Sequence, residues 1–196
     1  ATLHNLHNLS VDVPLSVMVA VTGVAGSGKS SFVMGALAPQ CPDAIVIDQK
    51  PIHTSIRSHI ASWCGAFDTI RLLFAEKNHV SASWFSANAK GACPECHGLG
   101  VIQTDLAFMD TVEIRCDVCN GSGYKPDISQ YKLQGKSIEE VMSMTISEAK
   151  IFFSKNDIQH ILENLDNVGL GYLTIGQALN TLSGGESQRI NLATSL

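Results

Sequence analysis

From residue 9 onward, runs of apolar residues are broken at intervals by glycine or proline, and the period within each run changes along the chain. Leu9-Ser10-Val11-Asp12-Val13 alternates with a period of two, as an amphipathic strand does. Val17-Met18-Val19-Ala20-Val21 is unbroken and reads as a buried strand running to Thr22. The next apolar stretch, Ser31-Phe32-Val33-Met34-Gly35-Ala36-Leu37, is compatible with a helix. Ala44–Ile47, bounded by Pro42-Asp43 and Pro51, predicts a second short strand. Phe67, Ile70, Arg71 and Phe74 then fall at i, i+3, i+4 and i+7, a helical stripe expected to face a core. Val101–Leu106 and Thr111–Arg115 read as two arms of a small hairpin, and Ile128–Leu133 as a strand before a Gly135-Lys136 turn. Thr145-Ile146-Ser147-Glu148 is a capping box opening a helix to about Phe153. A further helix is expected from near Asp157 to Val168, stopping at Gly169, with Ile158, Ile161, Leu162 and Leu165 on its apolar face. Strands interleaved with helices predict an α/β fold.

Between the first buried strand and its helix lies Gly23-Val24-Ala25-Gly26-Ser27-Gly28-Lys29-Ser30, matching the phosphate-loop pattern G-x-x-x-x-G-K-[ST] at every fixed position. Glycines let backbone amides close around phosphate oxygens with no Cβ in the way. The helix that follows adds free amides and its positive dipole end. By the motif's logic Lys29 reaches the β- and γ-phosphates and the Ser30 hydroxyl ligates Mg²⁺, with Gly23, Gly26, Ser27, Gly28 and Ser31 completing the cradle. Gln49, just past the second strand, stands where α/β sheets place ligand-contacting residues and is a candidate bridge between Mg²⁺ and an attacking water.

The cysteines add a second chemistry. Cys93-x-x-Cys96 and Cys116-x-x-Cys119 are separated by nineteen residues, within the range of a four-cysteine zinc site, and each pair is followed by G-x-G (Gly98 and Gly100, Gly121 and Gly123). Four thiolates fill a tetrahedral Zn²⁺ shell, so the expected site is structural, with no open position for water. His97 reads as a bystander, Cys41 and Cys64 as packed thiols, and His4 and His7 as surface residues with nothing at ligand spacing to pair with them.

Charge and composition narrow the classes. With 45% hydrophobic and 16% charged residues over 196 positions the chain is globular rather than disordered. A formal charge of −5 argues against a nonspecifically basic nucleic-acid binder. No apolar run approaches the roughly 18 residues of a membrane span, and the N-terminus lacks the layout of a secretion signal. The default compartment is the cytoplasm, where six cysteines stay reduced and metal binding outranks disulfides.

Near the C-terminal end, Leu182-Ser183-Gly184-Gly185-Glu186 places a candidate N-cap, Ser183, before two glycines whose amides are free at a helix start, a second anion-binding terminus. A phosphate loop, a strand-end Gln49 and LSGGE together resemble an ABC-type ATPase. The cysteine module between Gln49 and LSGGE narrows the resemblance to the UvrA family, the damage-recognition ATPases of bacterial nucleotide excision repair. TGVAGSGKSS, VIDQKPI, FDTIRLLFA, CDVCNGSGY, GKSIEEVMSMT and VGLGYLTIGQALNTLSGGESQRINLA look most like that family's second ATPase half, whereas GACPECHGLG is closer to the first. The mixture suggests a UvrA-like paralogue, a group that includes proteins linked to drug self-resistance. The two C-x-x-C-x-G-x-G repeats also occur in DnaJ-type co-chaperones, which carry no phosphate loop.

The resemblance implies an incomplete ABC-type nucleotide-binding domain over residues 1–91, a zinc module over 92–125, and a helical signature subdomain over 126–196. It implies ATP, Mg²⁺ and Zn²⁺ as cofactors. Lys29, Ser30 and Gln49 would act on the triphosphate, and Ser183, Gly184, Gly185 and Glu186 would meet ATP held at an opposing site. Implied partners are DNA, a second ATPase half or a second copy, and a UvrB-like repair subunit, in DNA excision and the SOS response, with no membrane. Family members continue past LSGGE into an acidic strand (Walker B) with the Mg²⁺-ligand aspartate and catalytic glutamate; this chain ends at Leu196, so it is expected to be a fragment or truncated half unable to complete a hydrolytic site alone. Ala92 and Gly123 stand where the family's second half favours basic residues, leaving Lys90, Arg115, Lys125 and Lys132 as candidate DNA contacts. Antibiotic self-protection by a UvrA-like ATPase, and a non-catalytic zinc-dependent nucleic-acid-binding module, remain alternatives.

Overall fold

The computed structural model describes residues 1–47, 55, 57–104, 112–154 and 157–196. They form two compact units, Ala1–Ile47 and Asp48–Leu196.

The first unit holds one helix, α1 (Ser31–Leu37), wound wide in the π manner. Before it, Leu3 and Leu6 exchange backbone hydrogen bonds across a tight turn, and Leu6 is the buried apolar side chain of the unit. The strand expected over Val17–Thr22 is not formed, nor are those over Leu9–Val13 and Ala44–Ile47. Val17, Met18, Val19 and Val21 are 42 to 99% exposed. An apolar run becomes a buried strand only when neighbouring strands take up its amides and carbonyls, and no such ladder pairs it among the described residues.

The second unit is a helical body carrying a small hairpin. Its helices are α2 (Ile60–Trp63), α3 (Ala66–Asn78), α4 (Ile138–Met142), α5 (Ile146–Phe152), α6 (Gln159–Leu165) and α7 (Gly184–Ser195). The hairpin pairs β1 (Val101–Thr104) with β2 (Val112–Arg115) antiparallel, in the register Val101 to Arg115 and Ile102 to Ile114. Strand content among the described residues is therefore this one two-stranded sheet. The expected strand Ile128–Leu133 is instead a 3₁₀ turn, Pro126–Gln130, which proline starts readily because its φ is already set.

The helices follow local rules. Ser137, Thr145 and Ser183 each close a reciprocal capping box with the glutamate three residues on, at the starts of α4, α5 and α7. Glycine ends the α6 segment: Gly169 takes φ +80, which only glycine adopts cheaply. One apolar core runs through the body, with Phe67, Ile70 and Phe74 of α3 meeting Phe85, Ile128, Ile138, Ile146, Phe153, Leu162, Leu165 and Ile190. Phe74 and Phe85 pack with ring centres 5.1 Å apart. The stripe read from the sequence on α3 thus faces the core, with Arg71 at its edge over the Phe67 ring.

Candidate nucleotide and metal sites

The phosphate loop runs from Gly23 to Ser30 in the first unit. Gly26 and Gly28 sit at φ +78 and +90, and a Cβ on Gly28 would come within 2.9 Å of the Leu6 side chain. Lys29 is folded over the loop, its Nζ donating to the carbonyl oxygens of Gly23 and Val24 at 2.8 Å each. Two of the three ammonium donors are thereby spent on the loop, and the third is free for a further acceptor. Ser30 occupies the cap position of α1 without a side-chain capping bond, so its hydroxyl is exposed and uncommitted to the helix. An open hollow of about 940 Å³ flanks the loop, lined in part by Val19, Val21, Gly23, Lys29 and Phe32.

The lead-in also braces the loop. Asn5 Nδ2 donates to the Gly26 carbonyl at 3.0 Å, and His4 Nδ1 lies 3.2 Å from Ser31 Oγ. His4 is a surface residue, as the sequence suggests, while the bracing by His4, Asn5 and Leu6 has no counterpart there. Nothing in the local pattern marks them, because their contacts lie more than twenty positions away. Gln49 falls outside the described residues.

In the second unit the four cysteines Cys93, Cys96, Cys116 and Cys119 converge, all buried, with their sulfur atoms within 4.8 Å of one another. Cys93 and Cys116 Sγ are 3.9 Å apart and Cys96 and Cys119 Sγ 3.6 Å, far longer than a disulfide. A tetrahedron with Zn–S bonds of about 2.3 Å has edges of about 3.8 Å, so the thiol set fits Zn²⁺ in both number and spacing. Gly98, Gly100, Gly121 and Gly123 all take φ between +75 and +86, turning each knuckle so that amides face sulfur. The Gly100 amide donates to Cys96 Sγ at 3.2 Å. Burial pushes the Cys119 thiol up to about 12, while the Gly121 and Gly123 amides pull the other way. A bound cation reverses that balance by holding coordinating thiols as thiolates. His97 is exposed, outside the cluster as expected. Cys64 is half-buried against the core, whereas Cys41 is exposed rather than packed, since the short 3₁₀ turn before it puts it beyond α1.

The helix start expected at Ser183 is also present. Ser183 caps α7, its Oγ accepting from the Glu186 amide at 3.3 Å, while Glu186 Oε2 accepts from the Ser183 amide at 2.7 Å and hydroxyl at 2.8 Å. Gly184 and Gly185 are exposed, and a Cβ on either would meet nothing within 4 Å. Tyr172 and Ser183 donating to Glu186 hold its carboxyl at about 2, well below the usual carboxylate range. Of the candidate DNA contacts, Arg115 donates to the Asn120 carbonyl, Lys125 lies 5.6 Å over the Trp84 ring, and Lys132 pairs with Glu140 at 2.9 Å.

Comparison with known proteins follows the same outline. The family described as ABC transporter matches residues 6–196. The chain belongs to that family. Within it the chain is UvrA-like: it is 40% identical to the UvrABC system protein A of Helicobacter pylori over 225 residues, covering 99% of this chain and 24% of that protein. It is 40% identical to the same protein of Staphylococcus epidermidis over 226 residues, covering 100% of this chain and 24% of the relative. The crystal structure of UvrA2 from Deinococcus radiodurans superposes with a TM-score of 0.84 at 40% identity, over 100% of this chain and 27% of that one. The chain spans about a quarter of the length of the curated relatives it matches.

An ABC-type ATPase region implies a nucleotide with Mg²⁺, and the cysteine cluster is compatible with zinc. The α/β class of the sequence reading stands on these likenesses, although the strands expected over Leu9–Val13, Val17–Thr22 and Ala44–Ile47 are not formed here. No helix among the described residues is long and apolar enough to cross a membrane.

Proposed function

We propose that this chain is the ATP-binding portion of a UvrA-like ATPase of DNA damage recognition, in which ATP is held between two ATPase units and its binding is coupled to DNA. The phosphate loop carries the reading: its glycines stand at positive φ, its lysine ammonium is held over the loop by the Gly23 and Val24 carbonyls, and the Ser30 hydroxyl makes no capping bond. In this reading Lys29 and Ser30 hold the β/γ-phosphates and the metal, Gly23, Gly26, Ser27, Gly28 and Ser31 supply the cradle, and Gln49 senses the γ-phosphate. Ser183, Gly184, Gly185 and Glu186 form the terminus offered to ATP bound by a second half or a second copy. Cys93, Cys96, Cys116 and Cys119 hold a structural zinc, with the module spanning residues 92–125 between the ATP-binding part (1–91) and the signature subdomain (126–196). DNA and a UvrB-like subunit are the partners this assignment entails, and hydrolysis belongs to the complete ATPase.

The test is nucleotide binding to the intact protein with Mg²⁺ and a nonhydrolysable ATP analogue, followed by calorimetry. Binding that is lost in Lys29→Ala supports the reading, and unchanged affinity in that variant ends it. The alternative of a zinc-dependent nucleic-acid module without nucleotide chemistry is less favoured, because Arg115, Lys125 and Lys132 already have partners within the chain.

A further inference from the structure

The signature turn has a hydrogen-bond conflict built into it. Ser183 has one hydroxyl proton, and it is given to Glu186 Oε2 at 2.8 Å, while the hydroxyl lone pair accepts from the Glu186 amide. A phosphate oxygen is an acceptor only. For Ser183 to bond a triphosphate, its proton must leave Glu186, and a carboxylate then stands beside the incoming anion short of one donor.

The hydroxyl of Tyr172 answers both needs. It donates to Glu186 Oε1 at 2.5 Å, on the oxygen that Ser183 does not use. The turn that carries Tyr172 is held from both sides: the Gly171 carbonyl accepts from the Ser147 amide at 3.1 Å, and Arg189 Nη1 donates to the Gly169 carbonyl at 3.2 Å. A Cβ on Gly171 would come within 2.2 Å of Asp166 Oδ1, so the turn fits closely against its neighbours. The Arg189 guanidinium, also near the Gly185 carbonyl, adds positive charge on the same side.

We propose that Tyr172 is a positioning residue for nucleotide engagement: it holds the Glu186 carboxylate in the capping box when the Ser183 hydroxyl turns to the γ-phosphate of ATP bound at the opposing site. The proposal rests on the reading of Ser183 as a contact to that ATP. With Tyr172 in place, the cap keeps the Ser183 amide and the Tyr172 hydroxyl on Glu186 after the hydroxyl is given up. Without it, Glu186 swings free toward the phosphate or retains the Ser183 proton, and both outcomes weaken ATP.

The experiment measures the affinity of the intact protein for a nonhydrolysable ATP analogue with Mg²⁺, by calorimetry, in four forms: unaltered, Tyr172→Phe, Ser183→Ala, and both together. Tyr172 is largely exposed and loses only a hydroxyl, so its thermal midpoint should move by about 2 °C or less. The expected result is a Kd for the analogue raised about 3- to 10-fold in Tyr172→Phe, and no additional rise when Ser183 is already alanine. Adding Glu186→Gln to Tyr172→Phe should restore the Kd, since a neutral amide does not repel phosphate. A Tyr172→Phe effect that persists in full in the Ser183→Ala background overturns the proposal, as does an unchanged Kd in Tyr172→Phe when Ser183→Ala raises it. If Ser183→Ala itself leaves the Kd unchanged, the underlying reading of the signature turn fails first and takes the proposal with it.

Discussion

The amide of Cys93 donates to the carbonyl of Gly123 at 2.8 Å, so the chain enters the cysteine module and leaves it side by side. Ala92 and Tyr124 bridge at the same point, and the Lys125 amide donates to the Gly91 carbonyl at 2.9 Å. Two short paired stems are therefore joined to the helical body at one place, and among the described residues what lies beyond them holds few buried groups besides the four cysteines. A hairpin whose β2 residues are all exposed cannot hold itself together by apolar burial.

Metal content follows from that. We expect about one zinc per chain, with chelation opening the hairpin while α3 to α7 keep their helical signal. Metal analysis alongside far-ultraviolet circular dichroism, before and after chelator, decides it. Four freely titrating thiols in the untreated protein would contradict the assignment.

The knuckle glycines differ sharply from other left-handed glycines. A Cβ on Gly98 would stand 1.8 Å from the Ala87 carbonyl oxygen at φ +86, where the obstruction is backbone and cannot turn aside. Gly135 has a similar φ of +82 but open space around it. Gly98→Ala should cost more than about 3 kcal/mol and weaken metal retention, whereas Gly135→Ala should cost about 1–2 kcal/mol. Denaturant midpoints of the two variants give the comparison, and equal losses would show that the Ala87 contact yields.

The core offers a plainer measurement. Phe153 is fully buried at the end of α5, with its ring edge-on to Phe152 at 4.8 Å. Phe153→Ala should destabilise the second unit by about 3–5 kcal/mol, with the cost set by how far the neighbouring Ile158 and Leu162 side chains relax into the space. A loss below about 1 kcal/mol in urea unfolding would mean the site collapses freely.

Much of this was legible in the sequence wherever the determinant is local. The capping box at Thr145, the Ser183 cap, the Gly169 stop and the C-x-x-C spacings all act within four residues, and each stands where the pattern put it. Ser137-Ile138-Glu139-Glu140 carries the same capping signal and opens α4. The misses are non-local. Val17–Val21 has the composition of a strand, but a strand exists only through its ladder partners. The bracing of Gly26 by Asn5 and the bond from Tyr172 to Glu186 join positions 21 and 14 apart, beyond any local period.

His59 gives the last prediction, and its sign can be worked out from the structure. It caps α2 through Nδ1, which accepts from the Ser62 amide at 3.1 Å, and its ring stands edge-on to Phe67 at 4.6 Å. Burial brings its pKa down from 6.5 to about 4, because the charged ring is poorly solvated there. Arg57 and Glu139 line the same cavity of about 410 Å³, so a cation and a carboxylate both face that space. With the folded value below the unfolded one, the unfolded chain binds more protons between about pH 4 and 6.5. The stability from this group is complete above about pH 6.5 and is lost as the pH falls toward 4, by at most roughly 3 kcal/mol. His59→Asn keeps a capping acceptor that does not titrate. Its unfolding free energy should therefore fall less steeply than that of the unaltered chain between pH 6.5 and 4.5, with the two converging on the acid side. Parallel slopes across that window would show that the ring is not the group responsible.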